Sequence, residues 1–359
     1  MSLLQVRDLK VHFPIKSGTL FTRTHGSVQA VDGVDLDVAA GTTFGLVGES
    51  GCGKSTLARA IMRLVEPTAG SVTLDGQDLL ALGERKLRAM RRNFQMVFQD
   101  PMASLDPRQS VESLLTEPLR AHKIPGGSVE HARRIRELLE VVGLPATALD
   151  RYPHEFSGGQ RQRIGIARAL VLSPKLVVAD EPVSALDVSV QAQVINLLKE
   201  LQERFSLTYL VIAHDLAVVR HISDTVAVMY LGSIIEQAPA DLLYRNPTHP
   251  YTKALMGAVP VPDPAVEVGR NRILLQGDLP SPANPPAGCR FHTRCPWRQA
   301  SRCAEERPAL RTLAGGHQVA CHFAEDIAAG RIQPSATARP KSATATPRQP
   351  APAQARLGS

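Results

Sequence analysis

The sequence predicts an α/β fold. It has a mostly parallel sheet covered on both faces, an antiparallel β subdomain before it, a helical subdomain inserted within it and a small loop-rich region behind it. Three observations predict this. Residues 48–56 read GESGCGKST, a phosphate-binding-loop pattern, set between an apolar stretch at 44–47 and a helix-like run at 57–62. Apolar strands then alternate with amphipathic helices as far as about residue 235, the pattern of a parallel sheet. After 235 the chain becomes rich in Pro and carries four of its five cysteines. The expected divisions are 1–235 for the main domain, with its helical subdomain at about 102–172, then 236–325 for the small domain and 326–359 for a disordered tail.

Taken in order, residues 3–47 alternate apolar and polar side chains, as in AVDGVDLDV at 30–38. They are expected to form short antiparallel strands with an insertion near 16–28. Residues 71–76 form a further strand and turn. Residues 130–142 place Ile135, Leu138, Leu139 and Val142 on one helical face. Residues 176–179 are a buried strand ending in Asp180 and Glu181; 190–205 is an amphipathic helix and 209–213 another strand.

The loop at 48–56 satisfies G-x-x-x-x-G-K-[ST] through Gly48, Gly53, Lys54 and Ser55. Glycines let backbone wrap closely around phosphate oxygens, and the N–H groups of the loop and helix start favour bound anion. Ser50, Gly51, Cys52 and Thr56 complete the expected contacts. Lys54 would reach the β- and γ-phosphates, and the Ser55 hydroxyl would hold Mg²⁺. A glycine-rich turn that binds nothing competes, but loop, lysine, hydroxyl and flanks all agree against it.

Composition narrows the class. The chain has 359 residues, of which 43% are hydrophobic and 21% charged. No apolar run approaches the ~20 residues that span a bilayer, and charges at Arg7, Asp8 and Lys10 exclude a signal peptide. A cytosolic location, free or docked on a membrane partner, is expected. Net charge is +7, but residues 327–359 hold five basic and no acidic side chains, so five of those seven charges lie in the tail. A specific nucleic-acid partner is therefore not expected.

Ser157, Gly158, Gly159 and Gln160, followed by Arg161-Gln162-Arg163, make the chain resemble the ATP-binding cassette (ABC) ATPases over roughly residues 3–235. What the resemblance implies is specific. Asp180 would hold Mg²⁺ with Ser55 and Gln99. Glu181 would be the general base that polarises the attacking water. Gln99 would sense metal and water and lie against the membrane partner, and His214 would contact the γ-phosphate. Asp187 matches a loop that crosses the dimer interface. The Ser157–Gln160 string of one cassette would close on ATP held by a second, although Phe156 stands where the family usually has Leu. Phe13 is the expected adenine platform, with Phe21 its competitor.

Further strings tie the chain to one branch: NPTHPYT at 246–252, LPSP at 279–282, NPPAGC at 284–289 and SALDVSVQAQ at 184–193. They resemble the ATPase subunits of bacterial oligopeptide/dipeptide importers, most of all the second ATPase subunit of a dipeptide importer. The resemblance implies a second ATPase subunit (a heterodimer, with a homodimer as the alternative), two transmembrane permease subunits and a periplasmic peptide-binding protein. It also implies a place on the cytoplasmic face of the inner membrane. Related importers move nickel chelates, glutathione or haem; a soluble ABC ATPase acting on nucleic acid is the rival from another class.

Cys289, Cys295, Cys303 and Cys321 are spaced C-x5-C-x7-C-x17-C, which is not the paired spacing of a zinc ribbon. Four thiolates suit Zn²⁺ or a [4Fe–4S] cluster, and free thiols are the third reading. The resemblance and Pro296 after Cys295 favour the cluster. Cys52 is expected to be a reactive liability and not a catalyst.

Overall fold

The computed structural model describes residues 2–17, 23–258, 273, 275–299 and 301–335. The first two strands, β1 (Ser2–Ser17) and β2 (Arg23–Ala39), form a long antiparallel pair, with β4 (Ala69–Leu74) and β5 (Gln77–Asp78) completing a four-stranded sheet in the order β2-β1-β4-β5. The expectation of short strands is corrected: each of the pair runs 16 or 17 residues. Repeated register shifts along it, between Val6 and Leu9 for example, let one strand bend where an unbroken ladder would not. Much of the expected insertion at 16–28 is strand. Phe21 lies outside the described residues.

The second sheet has eight strands, in the order β11-β12-β10-β9-β3-β8-β7-β6, its first edge being the two-residue β11 (Arg311–Thr312). Its parallel centre is β3 (Thr43–Val47), β6 (Phe94–Val97), β7 (Leu176–Asp180), β8 (Thr208–Ile212) and β9 (Thr225–Tyr230). Strands buried on both faces read as continuous apolar runs, and β7 shows why. Its Val177 and Ala179 enter a core shared with the helices, while Leu176 and Val178 enter a core shared with β1, β2 and the helix after the phosphate loop. The alternation follows the two-residue period of a strand.

The helical subdomain contains α4 (Val111–Ala121), α5 (Ser128–Val141) and α6 (Gly158–Leu170), with the expected Ile135, Leu138, Leu139 and Val142 in its core. Helix α7 (Val188–Phe205) follows β7.

The region after 235 shares the main sheet. Strand β10 (Ser233–Pro239) pairs antiparallel with β9, and β12 (Gln318–Val319) pairs with β10. A block of buried rings seals the junction: Tyr230 from the sheet packs edge-on against Tyr251 and Phe291, with centroids 4.8 and 5.3 Å away. Asp32 of β2 accepts hydrogen bonds from Arg290 and Arg307 of this region. Where the expected tail begins, the described residues are ordered: Ala324–Ala328 is helical, and the Ser335 N–H donates to the Pro296 carbonyl. Residues 336–359 lie outside those described. No described helix is long and apolar enough to cross a membrane.

Candidate functional site

The loop at 48–53 joins β3 to α1 (Lys54–Ile61). Two of its glycines are obligatory on geometry. At Gly48 a Cβ would fall 2.2 Å from the Met229 carbonyl oxygen, and at Gly53, where φ is +109°, it would fall 2.1 Å from that of Ala30. Lys54 is 5% exposed, and its Nζ donates to the carbonyls of Gly48 and Glu49 at 2.8 and 2.9 Å. The ammonium is thus held over the loop that would cradle phosphate. Cys52 is 1% exposed and burial pushes its thiol up, so it is an inert packing group; the expectation of a reactive liability is corrected.

The carboxylates arrive from the C-terminal end of β7, where open parallel sheets bind their ligands. The Ser55 hydroxyl donates to Asp180 at 2.9 Å. Asp180 is 2% exposed; burial raises its pKa, partly opposed by that bond. A buried carboxylate beside a hydroxyl is a donor set that suits Mg²⁺. Glu181 sits at φ +48°, a left-handed conformation costing about 1–3 kcal/mol in a non-glycine residue. Its carboxylate accepts from Gln99 Nε2 at 2.8 Å and lies 3.3 Å from His214 Nδ1. Three residues far apart in sequence therefore meet at one carboxylate.

A cavity of about 260 Å³ opens over the loop, lined by residues that include Lys54, Ser55, Thr56, Gln99 and Glu181. Val28, Ala30 and Pro282 line it too, and sequence reasoning missed them. Phe13 is 43% exposed and pairs across the strands with Val28, but is not itself among the lining residues.

None of Ser157 to Gln160 lines this cavity. Instead Ser157 caps α6: its Oγ accepts from Gln160 N at 3.3 Å, while Gln160 Oε1 accepts from Ser157 N at 3.0 Å. At Gly159 a Cβ would lie 2.5 Å from Val190 Cγ1 of α7. Asp187 is the N-cap of α7, with no side-chain cap bond.

Cys289, Cys295, Cys303 and Cys321 all line one small cavity of about 20 Å³, walled also by Trp297 and Phe323. Burial pushes the Cys289 thiol up to about 11 and that of Cys321 up to about 12. Among the described residues no group of three or more His, Cys, Asp and Glu side chains could hold a metal ion. The donor types fit the expected metal; the coordination geometry does not support it.

Residues 31–184 match the family model described as ABC transporter, and 235–303 match that described as oligopeptide/dipeptide transporter, C-terminal region. The chain is 57% identical over 323 residues to the oligopeptide transport ATP-binding protein AppF of Bacillus subtilis (strain 168), covering 90% of this chain and 97% of that protein. It is 53% identical over 320 residues to OppF of Escherichia coli (strain K12), of the same description, covering 89% and 95%. Among solved structures it resembles a dimeric post-hydrolysis state of the ATP-binding cassette MJ0796 bound to ADP and Pi. There the TM-score is 0.58 and the identity 28%, over 66% of this chain and 98% of that one. Clostridium perfringens cbiO1 shares the fold at TM-score 0.58 and 24% identity, over 68% and 91%.

Proposed function

Because this chain belongs to the ABC transporter ATPases, in the branch of the oligopeptide transport ATP-binding proteins, we propose that it supplies half of each of two composite ATP sites and energises peptide import across an inner membrane. One observation carries the reading: the chain's own phosphate cavity lacks its Ser157–Gln160 string. That string begins a 13-residue helix whose N-terminus favours anions. A second cassette must bring it to the nucleotide. One solved structure that the chain resembles, the MJ0796 cassette, is itself dimeric.

Within each site, residues 48–56 wrap the phosphates, Phe13 stacks on adenine, and Lys54 offsets charge on the terminal phosphoryl group. Ser55 and Asp180, with Gln99, would hold Mg²⁺, which would supply charge neutralisation at the phosphates. Glu181 takes the proton of the attacking water, oriented by Gln99 and His214, and Asp187 lies at the seam between cassettes. ATP touches both halves only when they are closed, so binding shifts the pair toward closure and hydrolysis releases it. A sister subunit is the partner we favour, docked with this one under two permease subunits on the cytoplasmic face. A periplasmic binding protein delivers the peptide.

The test is uptake of labelled peptide by vesicles carrying the assembled transporter. ATP-dependent uptake that is lost with Lys54→Ala is expected; ATP hydrolysis without any peptide-dependent transport overturns the substrate reading.

A further inference from the structure

Glu49 lies inside the phosphate loop, and every polar group it has is held. Its carboxylate receives both Nη atoms of Arg294, at 2.8 and 3.2 Å. Its N–H donates to the buried Tyr251 hydroxyl at 2.9 Å, and its carbonyl accepts from Lys54. Two of these three restraints come from beyond residue 235. Arg294 is 10% exposed at its side chain and stands over the Tyr230 ring, 5.9 Å from the centroid. Arg294 and Phe291 both fall between Cys289 and Cys295, and the Arg294 N–H donates to the Phe291 carbonyl.

A carboxylate in a phosphate-binding loop is an electrostatic liability. Like charges a few ångströms apart in a half-buried site repel substantially, and salt screens them less than at an open surface. The Glu49 side chain is 29% exposed and is not among the residues lining the phosphate cavity. The arginine fork both neutralises it and fixes where it points, as bidentate guanidinium–carboxylate pairs do.

We propose that Arg294 is a positioning residue for the phosphate loop: by pairing with Glu49 it removes a negative charge from the triphosphate's surroundings and makes nucleotide affinity depend on the thiol-lined loop. This rests on reading residues 48–56 as the phosphate site, and Lys54→Ala tests that separately. The substituted side chain would leave Glu49 ionised beside the nucleotide, so affinity falls through charge and not through lost packing.

The experiment measures binding of a fluorescent ATP analogue to the full chain, with KM and kcat of the assembled transporter. Arg294→Ala is expected to raise Kd and KM roughly tenfold with little change in kcat, the loss shrinking as salt is raised. Arg294→Ala/Glu49→Gln is expected to restore most of the affinity, because the unpaired charge is gone. Arg294→Lys, which keeps charge without the fork, should fall between native and alanine. If Arg294→Ala does not fold, Arg294→Lys with and without Glu49→Gln is read the same way. A Kd within twofold of native, or a double variant no better than the single one, overturns the proposal. If Lys54→Ala binds nucleotide normally, it is the phosphate-site reading that fails.

Discussion

Replacing Glu181 by Gln isolates the chemical step. The substitution conserves shape and removes one negative charge from a group that two neighbours already hold. Gln99 Nε2, now 2.8 Å from the carboxylate, can donate equally to the new amide oxygen, and His214 Nδ1 at 3.3 Å can face either end of it. The backbone turn at φ +48° is unchanged, and neither Lys54 nor the Ser55–Asp180 pair touches the substituted atom. Nucleotide binding should therefore hold. What is lost is the acceptor for the water proton, and removing a general base costs roughly 10²- to 10⁴-fold in rate, about 3–5 kcal/mol in barrier. Single-turnover hydrolysis of labelled ATP, with Kd measured on the same preparation, separates the two quantities. Turnover within tenfold of native at unchanged Kd would refute the assignment of Glu181 as base. A matching loss of binding would show instead that the carboxylate helps hold nucleotide.

Two more outcomes follow from the packing. Gly159→Ala drives a methyl group to 2.5 Å from Val190 Cγ1, a stiff branched side chain, so α6 and α7 must separate. A loss of about 1–3 kcal/mol by urea unfolding is expected, and full stability would mean the contact relaxes freely. Asp32→Asn leaves Arg290, 6% exposed at its side chain, without its counter-charge, at a cost of about 3–5 kcal/mol. Burial raises the Asp32 pKa, but bonds and charge from Arg307 and Arg290, helped by His12, leave it below its ordinary 3.8. The stabilisation is therefore present above 3.8 and lost as pH falls through the lower folded value. The native chain should lose stability more steeply in that acid range than Asp32→Asn does; parallel acid limbs would contradict it.

Most of the candidate site was legible because its residues are bound to element ends. The strand before Gly48 and the strand before Asp180 are all-apolar runs, so the groups that follow them must emerge at the sheet's carboxyl edge. The convergence of Gln99, Glu181 and His214 came from family likeness, since no spacing rule places residues 82 positions apart at 2.8 Å. The length of β1 and β2 was hidden by their bulges, which break the two-residue alternation that marks a strand. The loop-rich region read as a separate unit because, past β10, its contribution to the main sheet is two strands of only two residues each, β11 and β12. Its reach to Glu49 and the nucleotide cavity, through Arg294 and Pro282, left no periodic signal at all.

Cross-linking between residue 157 of one cassette and the phosphate loop of the other, within the assembled transporter carrying Glu181→Gln, tests the composite site most directly. The account predicts that ATP brings these two positions from separate chains together and that ADP does not. Proximity that ignores ATP, or that arises only within a single chain, would contradict it.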